Sequence, residues 1–199
     1  REKMKYVFFG TTEFSTTMLR CLTENGYRPE LVITNPDRPS GRKKILTSPP
    51  AKVLAEQKDI PVFQPESFDV NAVARLKQIG ANFFLLADYG KILPPAILQL
   101  SRLGVIGVHV SLLPQYRGPS PMQSAILNGD TETGVTLYLL NEGVDTGPIL
   151  VQEKFSLYRQ TFVELRKEGA LRACRMLKNV LPEFLEGKAE LRPQDHSRA

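Results

Sequence analysis

Phe83-Phe84-Leu85-Leu86-Ala87 is a run of five apolar residues, preceded by Gly80 and followed by Asp88-Tyr89-Gly90. It is too short for a buried helix, and no polar residue breaks it at alternate positions. That pattern predicts a strand covered on both faces, the kind found at the centre of parallel sheets. The chain repeats the theme in both directions. Tyr6-Val7-Phe8-Phe9, Leu31-Val32-Ile33-Thr34 and Val62-Phe63 precede the run as strands, and Val105 to Val110, Val135 to Leu140 and Ile149 to Phe155 follow it. Between them lie helical patterns. Phe14, Met18, Leu19 and Leu22 recur at helical spacing before Asn25-Gly26, and Pro49 to Lys58, Val70 to Ile79 and Ser120 to Asn128 read as further helices. A last helix runs from Thr161 to about Leu185, with an apolar stripe of Phe162, Leu165, Cys174, Leu177, Leu181 and Phe184. Strands alternating with helices predict an α/β fold: a Rossmann-like, mostly parallel sheet with helices on both faces. In such sheets ligands gather at the carboxyl ends of the strands.

Composition limits the rest. The 199 residues suit one domain, or one with an appendage, and carry 26 Lys+Arg against 21 Asp+Glu, a formal net charge of +5. A polyanionic partner is permitted by that charge without being required by it. No apolar run approaches the ~20 residues of a membrane span. The two cysteines, Cys21 and Cys174, form neither a metal cluster nor a disulfide framework and read as core thiols, which points to a reducing, cytoplasmic setting. Asn35 to Pro50 reads as an exposed irregular loop carrying Arg38, Arg42, Lys43 and Lys44. A solvated surface loop and a polyanion contact are both open readings of it.

Histidine is scarce, and His109 sits near the end of a strand, where α/β sheets present reactive side chains. Positions 107, 109 and 111 share a strand face, here Gly107, His109 and Ser111. Asp145 lies in the glycine-punctuated loop Asn141 to Gly147 after another strand. If the two strand ends are neighbours, its carboxylate can orient the imidazole and favour its protonated form, preparing it for proton transfer. Asp145 as an ordinary turn residue is the competing reading. Gly10-Thr11-Thr12 lacks the other glycines of a dinucleotide fingerprint, and no metal-ligand constellation is present.

The segments Val108 to Gly118, Ala125 to Gly129, Thr133 to Thr136 and Gly143 to Gly147 resemble the folate-dependent formyltransferases. Phe9-Gly10-Thr11, Asn35 to Arg42, Tyr89-Gly90, Ile92-Leu93-Pro94 and Pro193 to Ser197 resemble the branch of that family acting on methionyl-tRNA. The resemblance implies the formyltransferase fold over 1–192, with 193–199 opening a linker toward a C-terminal β-barrel domain. It implies a monomer that moves the formyl group of 10-formyltetrahydrofolate to the α-amino group of methionyl-initiator tRNA, without a metal. By position, His109 and Asp145 match the proton-handling pair. Ser111, Leu112, Leu113 and Pro114 match the folate loop, and Leu85, Leu86, Tyr89, Leu139 and Val144 line the pterin slot. Arg38, Arg42, Lys43 and Lys44 match a basic insertion that approaches the tRNA acceptor arm.

The chain departs from the family pattern at Gly107, where an asparagine is usual. Glycine offers no donor to the oxyanion of the tetrahedral intermediate, a loss typically costing ~2.7–4 kcal/mol of transition-state stabilisation. Slow transfer, improved at least about tenfold by Gly107→Asn, is the expectation. A non-catalytic folate- or tRNA-binding homologue is one alternative. A formyltransferase for a small amine, an amino sugar or glycinamide ribonucleotide, is the other. Thr12 and Asp88 also replace residues the family usually has, proline and a small apolar side chain.

Overall fold

The computed structural model describes residues 4–199, so the first three residues of the expected 1–192 domain lie outside it. The chain divides into two compact units, one ending at Arg102 and the next starting at Leu103.

The first unit contains β1 (Tyr6–Phe9), α1 (Glu13–Glu24), β2 (Leu31–Ile33), β3 (Arg38–Ser40), β4 (Ile45–Thr47), α2 (Pro50–Gln57), β5 (Val62–Phe63), α3 (Val70–Ile79), β6 (Phe83–Ala87) and α4 (Pro95–Leu98). Its sheet runs in the order β5-β2-β1-β6, and every pairing is parallel. All of β1 is buried. Successive side chains point to opposite faces, so both faces of the sheet are covered there. The Phe9 ring tilts against Phe84 at 5.4 Å between centroids and meets Tyr89 edge-on at 5.6 Å, a geometry aromatic quadrupoles favour. Helix α1 buries Phe14, Met18, Leu19 and Leu22, and a capping box between Thr12 and Ser15 starts it, a device worth about 1 kcal/mol. Gly10 has no room for a side chain: a Cβ would lie 2.6 Å from both Phe8 Cε1 and Ser15 Cβ. That closeness lets Ser15 Oγ accept from Thr11 N at 2.9 Å and donate to Ala87 O at 2.5 Å. The serine thereby joins the exits of β1 and β6 to the start of α1.

The second unit contains β7 (Val105–His109), α5 (Pro121–Leu127), β8 (Glu132–Leu139), β9 (Ile149–Ser156) and α6 (Phe162–Leu185), with a single 3₁₀ turn at His196–Arg198. Its strands run β7-β8-β9, all antiparallel. Helix α6 starts from a Thr161–Glu164 capping box and buries Leu165, Cys174, Leu177, Leu181 and Phe184 as it packs on β8, β9 and α5. The mostly parallel α/β architecture read from the sequence is found, with the antiparallel pairings of the main sheet confined to the second unit.

Two local expectations are corrected and one short element is added. The Asn35–Pro50 stretch is not irregular throughout: β3 and β4 pair antiparallel, Arg38 opposite Thr47 and Ser40 opposite Ile45. Gly41 and Lys44, both with positive φ, turn the chain between them. The strands, Arg38-Pro39-Ser40 and Ile45-Leu46-Thr47, are exposed and three residues long, too short to show a period-two signal. The four-residue α4 after Pro94 is too short to leave a helical pattern. Neither cysteine is a free thiol, so the cysteine argument for a reducing compartment lapses. Among the described residues no helix is long and apolar enough to cross a membrane.

Candidate functional site

His109 ends β7, is 7% exposed, and is held on both sides of its ring. Nε2 lies 2.6 Å from the Tyr116 carbonyl oxygen. A carbonyl only accepts, so Nε2 carries the proton, and in the neutral ring Nδ1 keeps its lone pair. Nδ1 faces Asp145 Oδ2 at 3.6 Å. That is beyond a hydrogen bond but close enough for the carboxylate to stabilise an imidazolium.

The register shows how these groups meet. Neighbouring strand ends, the condition set from the sequence for this pairing, are not what brings it about: in the antiparallel pair His109 is opposite Thr136, and the Leu139 end of β8 lies beside Ile106, the other end of β7. Asp145 returns to His109 because the loop after β8 doubles back, with Leu139 N donating to Pro148 O at 2.9 Å. Asp145 takes a left-handed φ of 51°. Its Oδ2 accepts from Gly118 N at 2.7 Å, and its Oδ1 accepts from the Tyr138 hydroxyl at 2.5 Å. Tyr116, on the other side of the imidazole, is left-handed at 55°. Its hydroxyl donates to Asp130 Oδ2 at 2.7 Å and accepts from Asn128 Nδ2 at 2.8 Å. Uncommon backbone conformations on both sides of one histidine are held by specific side-chain bonds, the pattern expected where a site fixes its own geometry.

Pro193 to Ala199, expected to open a linker, contributes to this loop. Gln194 is 6% exposed. Its Nε2 donates to Asp145 O at 2.9 Å and Gly147 O at 2.8 Å, while its Oε1 accepts from Arg117 Nη2 at 2.7 Å.

The folate-loop residues divide by exposure. Ser111 and Leu113 are buried. Leu113 N donates to Thr136 Oγ1 at 3.1 Å, Thr136 Oγ1 donates to Ser111 O at 2.7 Å, and Gln152 Nε2 donates to Leu113 O at 2.8 Å. Leu112 and Pro114 are half-buried, as is Leu139, and Val144 is exposed. In the first unit Leu85 and Tyr89 are fully buried and Leu86 is half-buried. Tyr89 binds through its backbone, its carbonyl accepting from Thr11 Oγ1 at 2.9 Å and Asn35 Nδ2 at 2.7 Å. Burial pushes its phenol up to about 12. Asp88 and Thr12, two of the residues that the resemblance sets apart, are partners: the threonine hydroxyl donates to Asp88 Oδ2 at 2.5 Å.

The basic residues Arg38, Arg42, Lys43 and Lys44 are all exposed on the β3–β4 hairpin. The hairpin is rooted at Asp37, which accepts from Gln64 Nε2 at 2.7 Å, Lys52 Nζ at 2.8 Å and Ser48 Oγ at 2.9 Å. A groove of about 550 Å³ beside it is lined by Thr11, Asn35, Arg38, Ser40, Thr47 and Lys91 among others. Sequence reading missed Tyr138, Asp37 and Gln194. A lone tyrosine in an apolar strand reads as core, while an aspartate or a glutamine in a polar loop reads as a solvated side chain.

An imidazole with a directed lone pair and a carboxylate beside it are chemically capable of passing a proton, and the chain belongs to the formyl transferase family, whose pattern matches residues 4–178. It is 45% identical to the methionyl-tRNA formyltransferase of Synechococcus sp. (strain JA-3-3Ab), over 98% of this chain and 62% of that protein. To the Thermotoga maritima protein of the same name it is 42% identical, over 98% and 63%. The chain therefore spans somewhat less than two thirds of the length of these curated relatives. The phosphoribosylglycinamide formyltransferase of Bacillus halodurans superposes with a TM-score of 0.73 at 23% identity, over 91% of this chain and 95% of its own. A formyltetrahydrofolate deformylase from Pseudomonas syringae gives 0.75 at 23%, over 98% and 67%. These structural likenesses are likenesses of fold.

Proposed function

We propose that this chain transfers a formyl group from 10-formyltetrahydrofolate to the α-amino group of methionine carried by initiator tRNA. The His109–Asp145 geometry carries the reading: a buried imidazole whose Nε2 proton is committed to Tyr116 O presents an unprotonated Nδ1 beside a carboxylate. As the amine nitrogen bonds to the formyl carbon, the carbonyl π pair moves onto oxygen. His109 Nδ1 takes the proton the amine releases, and Asp145 stabilises the resulting imidazolium. When the oxyanion collapses, the C–N10 bond breaks and the imidazolium returns that proton to N10 of the departing tetrahydrofolate. Every side chain in this relay comes from the second unit, which supports action as a monomer.

Leu112, Pro114, Leu139 and Val144 offer apolar surface to the pterin within the second unit. Ser111 and Leu113 serve by fixing the loop from inside. In the first unit Leu86 has surface to offer, whereas Leu85 and Tyr89 act from the core. The exposed hairpin residues Arg38, Arg42, Lys43 and Lys44 suit a phosphate backbone, and the methionyl-tRNA formyltransferase names of relatives at 42–45% identity support that acceptor.

The test is acceptor choice. With 10-formyltetrahydrofolate as donor, methionyl-initiator tRNA should be formylated at least about a hundredfold more efficiently, by kcat/KM, than glycinamide ribonucleotide or a nucleotide-linked amino sugar, a difference of ~2.7 kcal/mol at the transition state. A small amine served as well as the tRNA would overturn the choice of acceptor.

A further inference from the structure

Gly107 and Tyr138 are direct partners across β7 and β8, so their side-chain positions lie next to each other on one face. His109 is two residues along β7 on that face. A Cβ built on Gly107 would meet Tyr138 Cε1 at 2.6 Å, Tyr138 Cζ at 2.7 Å and Leu140 Cδ1 at 2.4 Å, all inside the 3.0 Å that real Cβ atoms keep. The Tyr138 ring thus fills the space that a side chain at 107 would take. It is only 4% exposed, and it packs in a cluster with Leu113, Ile149 and Leu140. Its far end is engaged as well. The hydroxyl donates to Asp145 Oδ1 at 2.5 Å, while Gly118 N holds Oδ2 at 2.7 Å, and Oδ2 is the oxygen facing His109 Nδ1.

We infer that Tyr138 is a positioning residue for the His109–Asp145 pair: its ring replaces the missing side chain at 107, and its hydroxyl turns the Asp145 carboxylate so that Oδ2 faces the imidazole. The rate this predicts rests on the formyl-transfer reading; the geometry does not. Burial, reinforced by the adjacent Asp145 charge, pushes the phenol well above its ordinary value, so it stays protonated and keeps donating. A hydroxyl whose hydrogen is directed at Asp145 does not donate to the reaction oxyanion. Tyr138 therefore acts through Asp145, and it does not replace an amide at 107 as an oxyanion donor. A further consequence revises the expectation for Gly107→Asn. The new side chain must displace the ring, and a displaced ring draws its hydroxyl away from Asp145, so the substitution alone gives no gain in rate.

Tyr138→Phe keeps the ring and removes the hydroxyl. The side-chain carboxyl ¹³C resonance of Asp145 should move, and kcat should fall about tenfold while KM for donor and acceptor stays within about twofold. An unmoved resonance overturns the inference whether or not transfer can be measured, and an unchanged kcat in an active chain does the same. If the unsubstituted chain transfers no formyl group but the resonance moves, the positioning is supported and the formyl-transfer reading fails. Gly107→Asn alone should lower the thermal midpoint and move the same resonance, and adding Tyr138→Ala should recover the midpoint. A Gly107→Asn chain with an unaltered midpoint and resonance would show that the side chain fits beside the ring, and would overturn the packing half.

Discussion

Asp145 shows how much one residue depends on its surroundings. Its two carboxylate oxygens take one donor each, and its backbone carbonyl accepts from Gln194 Nε2 and, at 3.2 Å, from Arg117 Nε. Gln194 is the member of this set furthest away in sequence, and removing its amide strands the buried Gly147 carbonyl and leaves the Asp145 carbonyl to Arg117 Nε alone. Gln194→Ala should destabilise the chain by about 1–3 kcal/mol in urea unfolding and lower kcat more than it raises KM. An unaffected kcat would show that the loop keeps its shape without the glutamine. His109 and Asp145 were legible in the sequence because few residue types do proton chemistry, and both lie in long motifs. Tyr138 was not, since its significance depends on what stands opposite it, and a strand's register is not written in the strand. The Thr12–Asp88 hydrogen bond was hidden for the same reason: two separate departures from a pattern became one pair only once β1 and β6 lay side by side.

Among the elements, the basic hairpin departs furthest from its sequence reading. Its two strands are anchored by Asp37, whose carboxyl is held down at about 2, first by the Gln64 amide and then by Lys52 and Ser48. A carboxyl held below its unfolded value of about 3.9 contributes its full stabilisation above that pH and loses it as pH falls toward 2. The Gln64 side-chain amide resonances should therefore shift between about pH 4 and pH 2, and Asp37→Asn should reproduce the shift at neutral pH. The same variant should speed tryptic cleavage after Arg42, Lys43 and Lys44. Resonances and cleavage unchanged by the substitution would mean that the hairpin needs no anchor. The buried elements were easier to read. Strand β6 and helix α1 announce themselves through unbroken or periodic apolar residues, a signal that the two exposed three-residue strands of the hairpin are too short to carry.

At the scale of the molecule, the net charge of +5 is less available than a count suggests. Arg172 pairs with Glu153 and Glu168, and Arg175 with Glu153, so part of the basic face of α6 is answered within the protein. The hairpin cations Arg42, Lys43 and Lys44 lie open on the first unit. Replacing all three with Gln should weaken tRNA binding and lower the slope of log affinity against log salt by up to about 2–3, without altering folate affinity. An unchanged slope would return the hairpin to the status of a solvated loop. The alternation of strands and helices was legible from the chain alone. The antiparallel order of β7, β8 and β9 was not, because apolar runs look alike whichever way they point. The measurement that bears most directly on the whole reading is single-turnover formyl transfer from 10-formyltetrahydrofolate to methionyl-initiator tRNA, with the chain and its His109→Ala variant side by side. Transfer by the unsubstituted chain, falling by about 10²–10⁴ in the variant, is the predicted result. Equal transfer by both, or none by a chain that still binds folate, would contradict it.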